Sequence, residues 1–205
     1  MKKLLLCSNG KFLIEQGYPL LGIPLPEIKL AYVTTASGGV PDKTYLKKHE
    51  ALMRQQGIAF EALDIEGKTQ SELLAFLQEK NVIHVEGGNT LYLLRAIRKT
   101  GFDVILKEAI EAGLVYAGTS AGSMILCPTI TLSSWADGAP EREKLGLGLV
   151  PFDLKVHYTD DMAPSLRQIA KNHPYPIRLL RDGQAILAED EKYTFIGGEE
   201  TKLLI

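Results

Sequence analysis

The sequence predicts an α/β fold: a mostly parallel sheet covered by helices on both faces, with a β-rich edge supplied by the C-terminal part of the chain. Three observations carry this. Short runs of β-favouring apolar residues alternate with longer segments of helical period, several helical segments stop at a glycine, and the alternation ends after Cys127 in a stretch punctuated by Pro and Gly. Strand, helix and strand in succession imply right-handed crossovers.

The first strand is expected in KLLLCS (3–8), which leads into the polar SNG. Further strands follow in IKLAYVTT (28–35), IAFEALDI (58–65), NVIHVEGG (81–88) and LVYAGTS (114–120). These runs read as buried parallel strands. Between them, DKTYLKKHEALMRQQG (42–57), TQSELLAFLQEK (69–80), NTLYLLRAIRKTG (89–101) and FDVILKEAIEAG (102–113) space their apolar residues by three and four, as amphipathic helices do. After Cys127 the chain offers one more helix near APSLRQIAKN (163–172) and three short strands ending at TKLLI (201–205). No repeat, low-complexity segment or linker divides the chain, so residues 1–205 are expected to form one domain.

The chain has 205 residues, 45% of them hydrophobic, and a formal net charge of −2. That is enough to bury a substantial core. A pI near 6.1 and the absence of a basic run leave no electrostatic footprint for nucleic acid or an anionic membrane, so neither partner is expected. The opening MKKLLLCSNG lacks the cleavage region of a signal peptide and reads as a buried strand. The two cysteines, Cys7 and Cys127, sit in apolar surroundings and suggest neither a disulfide framework nor a thiolate metal site. A cytoplasmic protein needing no metal or organic cofactor is the expectation, as a monomer or homodimer.

Ligands of open parallel sheets bind beyond the carboxyl ends of the strands. Three clusters fall at that edge: Thr34–Gly39, Glu86–Thr90 and Gly118–Ser123. The third, Gly118-Thr119-Ser120-Ala121-Gly122, fits the G-x-S-x-G elbow, with LVYA as incoming strand and AGSMIL as outgoing helix. Such a turn presents a serine hydroxyl for attack on a carbonyl. The pentapeptide by itself is equally readable as a glycine-rich turn with Ser120 as helix N-cap.

A nucleophilic serine needs a base and donors for an oxyanion. Glycines 87 and 88 let a backbone N–H approach closely, complementing the N–H of Ala121; Asn89 or Thr90 would cap the following helix. No G-x-G-x-x-G or GK[ST] pattern is present there, which argues against nucleotide binding. Of the four histidines, His49 lies in a charged helical segment, His84 inside a strand and His173 in a polar turn. His157 ends the apolar run FDLKVHYTDD, where a strand gives way to a loop, and can reach the same edge as Ser120.

VEGGNT, YAGTSAGSMILCPTI and VHYTD, in that order, together with LLLCSNG and DGQAIL, resemble the peptidase E and cyanophycinase group of serine peptidases, related in fold to class I glutamine amidotransferases. The resemblance spans nearly the whole chain. It implies a flavodoxin-like three-layer α/β/α sandwich, Ser120 as nucleophile, His157 as general base, and the N–H groups of Gly88 and Ala121 as oxyanion hole. It also implies a small peptide substrate and an enzyme of the dipeptidase or exopeptidase kind, with Asn89, Thr90 and Trp135 as substrate-pocket candidates. The acid behind the histidine is where the sequence departs. Trp135 stands where peptidase E carries an aspartate, with Asp137 two residues on, while the RDGQAI segment offers Asp182. Asp182 is favoured; Asp137, Asp160, Asp161, or a dyad without an acid remain as alternatives. The arginine that holds an aspartyl substrate in peptidase E has no clear match, Arg167 being the nearest, so aspartyl preference is not carried over. A non-catalytic binding or regulatory module is the competing reading, motivated by Trp135.

Overall fold

A computed structural model describes residues 2–203. Seven strands form the main sheet: β1 (Lys3–Cys7), β2 (Lys29–Val33), β3 (Ala59–Leu63), β4 (Val82–Val85), β5 (Val115–Thr119), β8 (Ala185–Glu189) and β9 (Lys192–Ile196), in the order β3-β2-β4-β5-β1-β8-β9. The first five in that order are parallel, and β8 and β9 extend the sheet antiparallel beside β1. The expected mostly parallel sheet with a β-rich edge is what the chain adopts. Two details differ. The last strand ends at Ile196, so the expected strand at TKLLI is absent as far as residue 203, and residues 204 and 205 lie outside the described part. Short β6 (Asp153–Lys155) and β7 (Ile177–Leu179) do not join the main sheet but pair with each other in parallel.

Side chains alternate between the faces of a strand, so a strand covered on both sides must be apolar throughout. In β1, Leu4 and Leu6 enter one apolar cluster while Leu5 and Cys7 enter another. The first cluster is roofed by α3 (Gln70–Leu77), α4 (Thr90–Thr100), α5 (Phe102–Glu111), α6 (Ala121–Met124) and α7 (Ala163–Ala170), through residues such as Leu73, Leu94, Leu106, Met124 and Leu166. The second is covered by Met53 of α2 (Thr44–Gln55) and by helical turns of changing width through α1 (Gly10–Phe12) and on to Leu21, a segment with no element assigned from sequence, whose Leu13, Ile14 and Tyr18 are buried. The result is the three-layer, flavodoxin-like arrangement. No helix among the described residues is long and apolar enough to cross a membrane.

IAFEALDI, expected as a buried strand, forms the edge strand β3: Ala59, Glu61 and Ala62 are exposed, and Phe60 lies under the Arg54 guanidinium at 4.9 Å. Its larger apolar residues still divide between the faces, Phe60 packing against the second cluster and Leu63 against the first, but both are only half-buried. Both cysteines are buried and free, with burial pushing each thiol up.

Candidate active site

Ser120 follows β5 at a backbone turn with φ 49° and ψ −108°, a region that L residues enter only when their surroundings hold them there. The turn is held at both ends. Ser120 donates its N–H to the Cys7 carbonyl at 3.0 Å, and the Ser123 hydroxyl lies 2.8 Å from the carbonyls of both Cys7 and Gly118. Gly122 is required by close approach, because a Cβ there would lie 2.0 Å from the Val85 carbonyl oxygen. Ser120 occupies the N-cap position of α6, yet its side chain makes no capping bond. The helix itself is only four residues long, shorter than the apolar AGSMIL suggests, so its contribution to binding an anion comes from individual N–H groups rather than an extended dipole.

The Ser120 hydroxyl instead meets His157, with Oγ 2.9 Å from Nε2, and the other ring nitrogen, Nδ1, lies 2.6 Å from Asp182 Oδ1. The parallel β6–β7 pair brings these residues together. Lys155 is in register with Leu179, so the chains leaving both strands run side by side, and Tyr158 donates its N–H to Leu180 O at 3.0 Å. His157 has φ 53°, a second strained non-glycine residue. Its backbone N–H is received by the Ser8 hydroxyl at 2.9 Å, and Ser8 Oγ lies 3.0 Å from Asp182 Oδ1. Ser8, just past the carboxyl end of β1, thus braces both the His157 backbone and the Asp182 carboxylate. Partial burial pushes the Asp182 carboxyl up, but the facing His157 and the hydrogen bonds from His157, Ser8 and Asn9 outweigh it, and the net shift is downward.

Gly88 has φ 143°, and a Cβ there would lie 2.4 Å from the Ala36 carbonyl oxygen. Among the described residues, neither the Gly88 nor the Ala121 N–H donates to another protein group, while the intervening loop is secured by Asn89 N–H to Ala36 O at 2.9 Å. Next to them, Glu86 is buried and holds a dense polar cluster. The Thr119 hydroxyl and Gly87 N–H donate to its Oε1 at 2.6 and 2.7 Å, and Tyr32 and His49 approach Oε2 at 2.7 Å each.

Two cavities flank Ser120 and His157. The larger, about 500 Å³, is lined by Lys11, Asp42, Tyr45 and His49 among others, and the smaller, about 220 Å³, by Thr90, Ser133 and Lys155; Gly88 and Trp135 border both. Trp135, on a tight turn and 44% exposed, and the buried Thr90 therefore stand where pocket residues were expected. Asn89 does not. Its side chain accepts from Tyr92 N–H at 2.9 Å to cap α4 and lies 3.5 Å from Gly39 O, so its polar atoms are engaged away from both cavities. Asp137 makes no bond to His157, Asp160 pairs with Arg181, and Arg167 lines neither cavity. Ser8 and Lys155 were not singled out from sequence, His49 was set aside as part of a charged helical segment, and Glu86 was named only as the start of the glycine cluster. Glu86 and Ser8 each stand at the carboxyl end of a parallel strand, a signal that was available; His49 and Lys155 reach the cavities only through packing.

A hydroxyl, an imidazole and a carboxylate in this sequence of contacts can pass a proton from the serine to the ring while the carboxylate holds the tautomer, and free N–H groups nearby can receive an oxyanion. The sequence pattern of peptidase family S51 matches residues 23–196. An uncharacterized peptidase of Pasteurella multocida is 29% identical over 198 residues, covering 93% of this chain and 95% of its own, and a peptidase E of Streptomyces coelicolor is 29% identical over 212 residues, covering 96% and 84%. Among solved structures, a candidate peptidase E protein from Listeria monocytogenes EGD-e superposes with a TM-score of 0.84 at 26% identity, covering 97% of this chain and 100% of the other. The family pattern covers most of the chain, including the elbow, both glycine loops, His157 and Asp182: the chain belongs to peptidase family S51 and is an enzyme of the serine-peptidase class.

Proposed function

We propose that the protein hydrolyses short peptides through an acyl-enzyme on Ser120, with His157 as general base, Asp182 as the acid behind it, and the N–H groups of Gly88 and Ala121 as the oxyanion hole. The observation that carries this reading is the unbroken chain from Ser120 Oγ to His157 Nε2 at 2.9 Å and from His157 Nδ1 to Asp182 Oδ1 at 2.6 Å. Asp182 is drawn toward its ionised form, so it accepts a hydrogen bond from Nδ1–H and leaves the Nε2 lone pair facing the serine hydroxyl. As Ser120 Oγ attacks the peptide carbonyl, its proton passes to Nε2. The carbonyl oxygen becomes an oxyanion between the two free N–H donors. Collapse of the tetrahedral species expels the amine, which takes the proton from Nε2; water then attacks the ester carbonyl as it loses a proton to the same nitrogen, and breaking of the bond to Oγ releases the acid while that proton returns to Ser120 Oγ.

Cavities on both sides of Ser120 suit a substrate with residues on either side of the scissile bond. The competing reading, a non-catalytic module, rests on Trp135 replacing an acid in the loop; Asp182 at 2.6 Å from His157 supports the catalytic reading over it. A fluorophosphonate should label Ser120 in the wild-type protein, and turnover of a dipeptide library should vanish in Ser120→Ala with the fold unchanged. A Ser120→Ala variant that still hydrolyses the same dipeptides would overturn the proposal.

A further inference from the structure

The proposed reaction leaves a buried carboxylate beside the nucleophile, Glu86, without a role. Glu86 is 1% exposed, yet its two oxygens meet four protein donors drawn from β2, α2, β5 and its own loop. Burial pushes its carboxyl up, and the hydrogen bonds from His49 and Thr119 with the neighbouring imidazoles outweigh that, holding it down at about 2. Its ionised state orients the cluster. Because Thr119 donates to Glu86, the Thr119 oxygen can only accept from His84 Nε2 at 3.4 Å, so His84 Nδ1 in turn accepts from the Tyr18 hydroxyl at 2.9 Å. Side chains of β2, α2 and β5, and behind them His84 and Tyr18, thus direct their protons toward one carboxylate.

Burying a carboxylate is costly, and an apolar side chain would satisfy packing alone. What the carboxylate adds is a link between two particular segments. Oε1 receives Gly87 N–H and the Thr119 hydroxyl together; Gly87 precedes Gly88, a proposed oxyanion donor, and Thr119 precedes Ser120. The two segments also touch, since a Cβ on Gly87 would lie 3.1 Å from Ser120 Cβ. Both oxygens of Glu86 are fully engaged, so it offers substrate no acceptor.

We propose that Glu86 is a positioning residue whose Oε1 sets the spacing between the Gly88 N–H and Ser120 Oγ, and with it the fit of the tetrahedral intermediate. This rests on the reading of Ser120 as nucleophile and Gly88 as oxyanion donor. A misplacement of either group by a fraction of an ångström acts on the transition state and leaves ground-state binding nearly untouched.

Thr119→Val removes one of the two linked donors while preserving shape, and Thr119→Ser restores it. With the best substrate from a dipeptide library, and rates expressed per folded molecule by circular dichroism, Thr119→Val should lower kcat by about tenfold to a hundredfold with KM within about twofold. Fluorophosphonate labelling of Ser120 should slow in parallel, and Thr119→Ser should recover most of both rates. Glu86→Ala should lose at least as much as Thr119→Val. A purely structural role would reduce the folded fraction and leave kcat per folded molecule unchanged, and that result would overturn the proposal, as would a loss confined to KM or a Thr119→Ser variant as slow as the valine. An active Ser120→Ala variant would overturn the nucleophile reading beneath it; an inactive Ser120→Ala beside a fully active Thr119→Val would overturn the positioning role alone.

Discussion

Two non-glycine residues with positive φ, Ser120 at 49° and His157 at 53°, face each other across a 2.9 Å contact. Such conformations cost free energy and persist where the surrounding structure holds them. Here the restraint on His157 is visible as Ser8, which receives the histidine N–H and also meets Asp182. The carboxylate is 60% exposed at its side chain, so its contribution lies more in orienting the ring than in stability. Asp182→Asn, which can present an N–H where Nδ1 also carries one, favours the wrong tautomer. The expected result is a kcat lower by about a hundredfold to ten-thousandfold with a melting temperature near that of the wild type. Steady-state kinetics beside a thermal melt would check it, and wild-type turnover would remove Asp182 from the proposed triad. At this scale the sequence was informative about residue types and blind to partners. Ser120 and His157 could be named from motif and strand end, and Asp182 was favoured over Asp137 on the resemblance of RDGQAI, but the contact that joins it to His157 depends on β7 running beside β6.

Among the elements, helices with a strong apolar stripe or an explicit cap were the most legible. Thr69 and Glu72 form the reciprocal capping box at the start of α3, and Gly101, with φ 72°, closes α4. The turns from Gly10 to Leu21 were not legible. They tighten and loosen within a dozen residues and owe their burial to contacts with the sheet rather than to a regular period. The helix after Ser120 was overestimated because an apolar run this deeply buried carries no period that separates helix from irregular chain. The elbow is tightly packed, since Gly122 presses against the Val85 carbonyl. Gly122→Ala should therefore destabilise the protein by at least about 1–3 kcal/mol through forced movement of β4 or α6. Denaturant unfolding would measure this, and a change of only a few tenths would mean that the elbow has room the contact distances deny.

For the molecule as a whole, buried titratable groups set the response to acid. Burial, only partly opposed by Glu86, lowers His84 from 6.5 to about 4, so an unfolded chain takes up this proton at a pH where the folded one does not. Stability from His84 is complete above pH 6.5 and declines as pH falls toward 4. Glu86, lowered from 4.5 to about 2, adds a second loss of the same sign as pH falls from 4.5 toward 2. Denaturant unfolding across this range should show stability falling continuously with acid, and Glu86→Gln should lack the lower part. A flat profile would contradict both assignments.

The sequence by itself determined the layered architecture, the strand order of appearance and the elbow, because alternation, helical period and glycine at sites of close approach are local consequences of backbone geometry. It also placed Ser120, His157 and the glycine loop at one sheet edge. Tertiary structure alone decided what joins them: β6 pairs with β7 outside the main sheet, setting His157 beside Asp182, and β1 lies between β5 and β8, setting Ser8 beneath both. Glu86, legible only as part of a turn, became the meeting point of four elements for the same reason. Hydrogen bonds between residues far apart in the chain leave no period or spacing in the sequence; they exist only once the strands have found their neighbours.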